Sequence, residues 1–274
     1  MGYDHPIQRD HDGDGRGDEC DLCPHIATTM DNDMDGDGIG DECDPQPTVK
    51  NPPAYFNGFY DPPDASWSVP RNAGTMADWE LAAGPGGHTL GWRQKTLDGS
   101  HRHQLLLTGV KQQHYIDSVI VVDGISPGDG DSNLRGANVS YGFFPVNQDQ
   151  NDVFYICGMQ RDTSKVDNND AADLTVLEDN TIQGTQKTAA WPVPAPNTRI
   201  HVVGQALRVG STQPQMGNTN LMCAVNGETA GTTTPLMLSN NPVTGFPDGQ
   251  IGLHTYGTTA WFDYVFYVEV IPAP

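Results

Sequence analysis

The residues of this chain whose types and spacing can do chemistry are carboxylates. The unit D-x-D-x-D-G-x-G-D-x-C-D occurs twice, starting at Asp10 and again at Asp33. The first unit carries Asp10, Asp12, Asp14, Asp18 and Asp21, and the second carries Asp33, Asp35, Asp37, Asp41 and Asp44 in the same places. Alternating carboxylates around a glycine turn fold around one hard cation. The backbone carbonyl two residues after the third Asp, of Arg16 or Ile39, completes the shell. Gly15 and Gly38 permit the sharp turn. Many flexible oxygen ligands, with little nitrogen or sulfur, is calcium chemistry. A merely solvated acidic tail would not repeat glycine and cysteine in register.

The spacing is that of an EF-hand loop, but the flanks are not. An EF-hand loop sits between amphipathic helices and usually ends in a bidentate Glu. Here the flanks are CDLCPH and CDPQP, and the last carboxylate is Asp. Residues 9–47 instead resemble thrombospondin type 3 repeats, through the Asp/Gly frame, Cys20 and Cys43 after the fourth Asp, and Cys23-Pro24 opening the next unit. The linker HIATTM departs from that pattern, lacking the Asn-Pro common in the family, which puts the wrap between units in doubt. The resemblance implies more than one calcium ion per repeat, with Asp31 adding a ligand to the second unit. It also implies a Cys23–Cys43 disulfide. Cys157 and Cys223 both lie in predicted strands of the second region and are candidates to pair with each other. That leaves Cys20 over, either as a thiol or bonded to another molecule.

Two further acidic clusters, Asp123/Asp129/Asp131 and Asp167/Asp170/Asp173, lie between predicted strands as additional calcium candidates. Asp, Asn and Gly are also ordinary turn residues. Glycoside hydrolysis needs two carboxylates facing one sugar. The six Glu (Glu19, Glu42, Glu80, Glu178, Glu228, Glu269) include no pair spaced for that on one strand, and no E-x-D-x-x-E is present. His101 and His103, with His114 nearby, read as strand histidines near a turn more readily than as a transition-metal site. Of the tryptophans, Trp67, Trp79, Trp92 and Trp261 read as packing residues, while Trp191 is loop-borne and suited to a glycan.

The elements that must hold these groups are β-type. After a Pro-rich stretch at 48–54, short apolar runs alternate with Gly, Pro, Asn and Asp clusters, and helical periodicity is nearly absent. Strands are expected near 103–107, 115–122, 139–144, 153–159, 174–178, 200–209, 221–225, 251–256 and 260–270. Asn226-Gly227 is a hairpin signal. The ending G-x-I-G-L … F-D-x-V (Gly249 to Val265) and the segment LMCAVNGE resemble the concanavalin A-like, laminin-G-like jelly-roll superfamily, over 53–274. In that pattern Ile251, Leu253 and Phe262 fill the core. The expected fold is therefore all-β: a two-sheet jelly-roll sandwich (55–274), preceded by an irregular calcium-wrapped repeat arm (1–47) and a linker (48–54).

Composition bounds the function. Net charge is −21, most of it before residue 48, which argues against nucleic acid as a partner. No run of 18 apolar residues exists to span a membrane. MGYDHPIQRD lacks the apolar stretch of a signal peptide, so the chain is expected to begin inside a longer or processed precursor. Disulfides with calcium sites point outside the cell, to a cell surface or matrix. The primary expectation is a non-catalytic structural protein whose calcium-stiffened arm drives self-association into a bacterial surface appendage, filament or matrix. The alternative is a calcium-dependent carbohydrate-binding adhesion module, with a glycan as partner. A glycoside hydrolase ranks third.

Overall fold

The computed structural model describes residues 9–30, 32–70, 72–84, 90–98, 102–111, 113–126, 134–143, 153–162, 170–178, 181–182, 187–190, 197–209, 218–227, 231–232, 236–241 and 249–271. The described strands are β1 (Tyr55–Asn57), β2 (Trp67–Ser68), β3 (Trp79–Ala82), β4 (Gly91–Gln94), β5 (Arg102–Val110) and β6 (His114–Ile125). Then come β7 (Leu134–Phe143), β8 (Val153–Asp162), β9 (Asp170–Glu178), β10 (Thr181–Ile182), β11 (Lys187–Ala190) and β12 (Arg199–Val209). The chain closes with β13 (Asn218–Gly227), β14 (Gly231–Thr232), β15 (Leu236–Asn241), β16 (Gly249–Tyr256), β17 (Thr258–Phe262) and β18 (Val265–Glu269). One 3₁₀ turn, Met76–Asp78, is the sole helical element among the described residues.

The strands form two antiparallel sheets, the all-β jelly-roll sandwich expected. Sheet A runs β14-β13-β12-β6-β17-β4-β3, with β15 on β13 and β1 joined through β18 to β6. Sheet B runs β10-β9-β8-β7-β16-β5-β2, with β11 on β9. Side chains alternate across each strand, so one parity faces the other sheet. In β16 that parity is Ile251 and Leu253; both lie in the main core with Phe262, Leu105, Leu107, Val139, Tyr155, Ile120 and Val202. The Cys157–Cys223 disulfide joins β8 of sheet B to β13 of sheet A through this core, with a Cα–Cα distance of 5.4 Å. β13 does form a hairpin with β14, but Asn226 and Gly227 are its last ladder residues, paired with Thr232 and Gly231, rather than the turn itself.

One sequence expectation needs correcting. Residues 260–270 are not one strand but two, β17 and β18, broken at Asp263 and Tyr264. The Asp263 N–H donates to the Val119 carbonyl, and its carboxylate pairs with Arg199. The Tyr264 carbonyl accepts from Ser118 Oγ at 2.6 Å, and its phenol donates to Asp117. These anchors redirect the backbone, so β17 pairs with β4 and β6, and β18 with β1 and β6.

The N-terminal segment packs as a third layer on the outer face of sheet A. Cys23, Ile39 and Cys43 are buried in a second cluster with Val119, Tyr264, Phe266 and Val268, flanked by Ile26, Phe56 and Tyr115. Val119 and Phe266 have the opposite parity to Ile120 and Val265, which face the main core. A sheet face with this much aromatic surface needs cover, and the arm supplies it. Residues 46–51 fasten it. Gln46 Nε2 donates to the Ile271 carbonyl and Asn51 Nδ2 to the Glu269 carbonyl, at 2.9 and 2.8 Å.

Candidate metal loops and the arm–sandwich seam

The two Asp units fold alike. Asp10 accepts from the Gly13 and Gly15 amides at 2.8 and 3.0 Å, and Asp33 from those of Gly36 and Gly38 at 2.7 and 3.0 Å. Asp18 and Asp41 accept from the amides of His11 and Met34, both at 2.8 Å. The glycines adopt the same left-handed turns: φ is 77° and 98° at Gly13 and Gly15, and 73° and 94° at Gly36 and Gly38. Such angles strain any side chain with a Cβ. The sequence signal at Gly15 and Gly38 is matched by a second required glycine, at positions 13 and 36, which spacing alone did not single out.

In each loop the first three carboxylates converge. One oxygen each from Asp10, Asp12 and Asp14 lies within 4.8 Å of the others, and Asp33, Asp35 and Asp37 do the same. Asp12 Oδ2, Asp14 Oδ2 and both oxygens of Asp35 are shielded from solvent without a hydrogen-bond partner. A shielded carboxylate oxygen with no donor is costly. Desolvation, with the Asp14, Asp21 and Asp10 charges adding, pushes Asp12 up to about 6. Asp44 is likewise pushed to about 6 by desolvation and by Asp37, Asp35 and Asp41. Each arrangement is a set of convergent, unneutralised oxygens, which fits a hard divalent cation.

The remaining expected ligands have other engagements in part. Asp18 Oδ2 accepts from the Tyr60 phenol at 2.8 Å, and Asp37 Oδ2 from the Asn51 amide at 2.7 Å, so the loops are tied directly to the body. Asp21 and Asp44 cap the amides of Cys23 and Gln46. The Arg16 and Ile39 amides donate to Asp14 and Asp37, which shapes the turn that carries their carbonyls. The Cys23–Cys43 disulfide is formed, with a Cα–Cα distance of 5.7 Å, and Cys20 is exposed and belongs to neither disulfide.

Elsewhere the candidates disperse. Asp31, Asp129, Asp131, Asp167, His101 and Trp191 lie outside the described residues, as does the side chain of Asp170. Asp123 accepts from Arg93 Nε at 2.7 Å and Thr259 Oγ1 at 2.5 Å. Asp173 is buried and accepts from Thr175 Oγ1 at 2.7 Å. His103 and His114 part to different sheets; His114 Nε2 sits 2.5 Å from the Tyr155 hydroxyl. Trp67, Trp79, Trp92 and Trp261 are buried packing residues.

Sequence reasoning missed the seam between arm and sandwich. His25 of the arm is 1% exposed at its side chain and packs on Phe266, Tyr264 and Phe56, with ring centroids 4.3, 5.1 and 6.3 Å away. Neither ring nitrogen has a hydrogen-bond partner, and Nε2 lies 3.8 Å from Asp117 Oδ2. Burial outweighs the attraction of Asp117 and pushes His25 down to about 4, so the ring is neutral. Asp117 is the hub. It accepts from His201 Nε2 at 2.6 Å, from the Tyr264 phenol at 2.7 Å and from the Tyr115 phenol at 3.0 Å. Those partners hold it below the usual carboxylate range despite its burial, and the Asp117 bond raises His201. His11 adds an edge contact to Tyr264 at 5.3 Å. No local sequence signal marks this set, because its members come from the arm, β6, β12 and the β17–β18 break.

No protein-family model matches the chain, and no curated protein matches it. Among solved structures, the chain is similar to the VIP36 exoplasmic/lumenal domain in its Ca²⁺/Man3GlcNAc-bound form, at 9% identity and a TM-score of 0.40, covering 76% of this chain and 90% of that one. It is similar to winged bean acidic lectin complexed with methyl-α-D-galactose at 11% identity and a TM-score of 0.44, covering 79% and 98%. It is also similar to the apo Crh5 transglycosylase at 11% identity and a TM-score of 0.41, covering 80% and 85%. At these scores the likenesses assign no ligand, metal or reaction to this chain. Among the described residues no helix is long and apolar enough to cross a membrane.

Proposed function

We propose that this is a calcium-binding, non-catalytic carbohydrate-binding protein of an oxidising extracellular or lumenal compartment, its sandwich the binding body and its arm a metal-stiffened brace. The observation that carries the choice is where the arm lies. Its apolar residues Cys23, Ile26, Ile39 and Cys43 are packed against β6 and β18 of the same chain. A head-to-tail filament needs an arm free to reach a neighbouring subunit, and here the arm's packing surface is occupied within its own chain. That favours a self-contained binding module over the assembly subunit expected first from sequence.

Calcium at Asp10/Asp12/Asp14 and Asp33/Asp35/Asp37 would supply charge neutralisation and rigidity. The chain's own residues set the loops' shape, through Asp10 and Asp33 on the glycine amides. They also carry that rigidity into the sandwich through Tyr60 and Asn51. Support for a non-catalytic role is that no two Glu stand at hydrolase spacing on one strand. Two disulfides support the compartment. A glycan array probed with the full chain, in calcium and then in chelator, tests the proposal. Saccharide binding by a monomer is the expected result. No saccharide binding, or calcium-dependent polymers by light scattering, would return the reading to an assembly subunit.

A further inference from the structure

The two Asp loops are alike inside and unlike outside. Each builds its turn from the same internal bonds, with Asp10 and Asp33 on two glycine amides and Asp18 and Asp41 on the amide after the first Asp. What the rest of the chain brings to them differs. At the second loop, Lys50 Nζ donates to the Gly36 carbonyl at 3.1 Å, and a Cβ on Gly36 would lie 3.5 Å from that ammonium. At Gly13, the same place in the first loop, a Cβ would meet nothing within 4 Å among the described residues. The next residue, Asn51, donates its amide to Asp37 Oδ2 at 2.7 Å, whereas the counterpart Asp14 Oδ2 is shielded and has no partner. The Asn51 side chain is buried and donates to Gln46 Oε1 and to the Glu269 carbonyl of β18. The ammonium is thus delivered to the second loop by backbone that is bonded to the sandwich.

The electrostatics differ in the same way. The charges that act most on Asp12 are carboxylates, those of Asp14, Asp21 and Asp10. In the second loop desolvation, Asp37 and Asp33 raise Asp35, and the Lys50 charge opposes them. Asp33 is held low by the Gly38, Gly36 and Asp37 amides, with the Lys50 charge adding.

We propose that Lys50 is a tethered counter-cation of the second loop, set against Asp33 and Asp35, and that it makes this loop the weaker of two unequal calcium sites. The inference rests on the calcium-binding reading above and grades its two sites. Asp35, with two partnerless oxygens, keeps the second loop a metal site; Lys50 sets how readily it fills. A divalent ion entering there is opposed by a fixed ammonium and finds one Asp37 oxygen already bonded to Asn51. The first loop offers Asp12 Oδ2 and Asp14 Oδ2 unengaged. The loops therefore fill in order as calcium rises, the first before the second.

Amide ¹⁵N spectra of the full chain, titrated with calcium chloride from a metal-free start, read the sites separately, because the Gly15 and Gly38 amides bond to Asp10 and Asp33. Gly15 should reach its midpoint at lower calcium than Gly38. Lys50→Met should lower the Gly38 midpoint by a factor of about three or more, the order of one exposed charge pair, and leave that of Gly15 in place. Lys50→Arg, which keeps the charge, should keep the native order. Lys50 is exposed, so these variants test charge rather than packing. A Gly38 midpoint at or below that of Gly15 in the unaltered chain, or one that Lys50→Met moves by a smaller factor, overturns the role of Lys50 and leaves calcium binding standing. Glycine amides that do not respond to calcium at all overturn both.

Discussion

Two residues concentrate the energetics. Asp35 has both carboxylate oxygens shielded and partnerless, so it has the most to gain from a cation. Asp35→Ala should remove one calcium from the stoichiometry seen by calorimetry and leave the Asp10 loop titrating as before. The carboxyls of Asp12 and Asp44, raised to about 6, set a pH dependence. Calcium needs both ionised, so its affinity should fall as pH drops from 7 to 5. In chelator the sign reverses for the fold: a folded pKa above the unfolded value means stability is lost as pH rises from about 4 to 6. Melting curves at both pH values, with and without calcium, check the pair. Asp117 is the second residue. Asp117→Ala strands His201, Tyr115 and Tyr264 around an empty hub, and removing one member of a buried charged set costs about 3–5 kcal/mol. Urea denaturation reads that loss.

At the scale of elements, the arm is latched to sheet A by a ring that must stay neutral. His25 has an ordinary value of 6.5 and about 4 when docked. Its contribution to docking is therefore complete above about pH 6.5 and declines as pH falls toward 4, by about 3 kcal/mol in all. His201, raised by Asp117, acts in the opposite direction and keeps its contribution at low pH. In calcium, whose loss on acidification acts in the same direction as His25, arm release should appear as loss of hydrogen-exchange protection in residues 20–45, while the β5 and β16 amides stay protected. His25→Phe, which keeps the ring packing without the titration, should move that release to lower pH. If the variant releases with an unshifted pH dependence, His25 is not the latch.

For the whole molecule, the Cys157–Cys223 bridge binds sheet to sheet across a sequence separation of 66 residues. Replacing both cysteines by Ala should lower global stability by about 2–4 kcal/mol, through the freed unfolded chain and the lost packing. The Cys23–Cys43 bridge closes only the arm, so its removal should be felt there first. Chelation should not act on the arm alone. The arm covers Tyr264, Phe266 and Phe56, and its loops are bonded to Tyr60 and Asn51. Metal removal should therefore change the near-ultraviolet circular dichroism of those aromatics and lower the melting midpoint of the sandwich. An unchanged midpoint would mean that the two layers melt independently.

What the sequence determined by itself was local. The doubled Asp/Gly frame specified two loops because each ligand lies within a dozen residues of the others, and glycine and aspartate impose the turn whatever surrounds them. Short β-type runs between turn clusters specified most strands, and the resemblance carried by the C-terminal ending implied the core positions of Ile251, Leu253 and Phe262. The break at Asp263–Tyr264 and the His25–Asp117–His201 seam were decided only in the tertiary structure. Each is assembled from segments far apart in the chain, brought together by strand register and sheet packing, and no window of sequence contains that pairing.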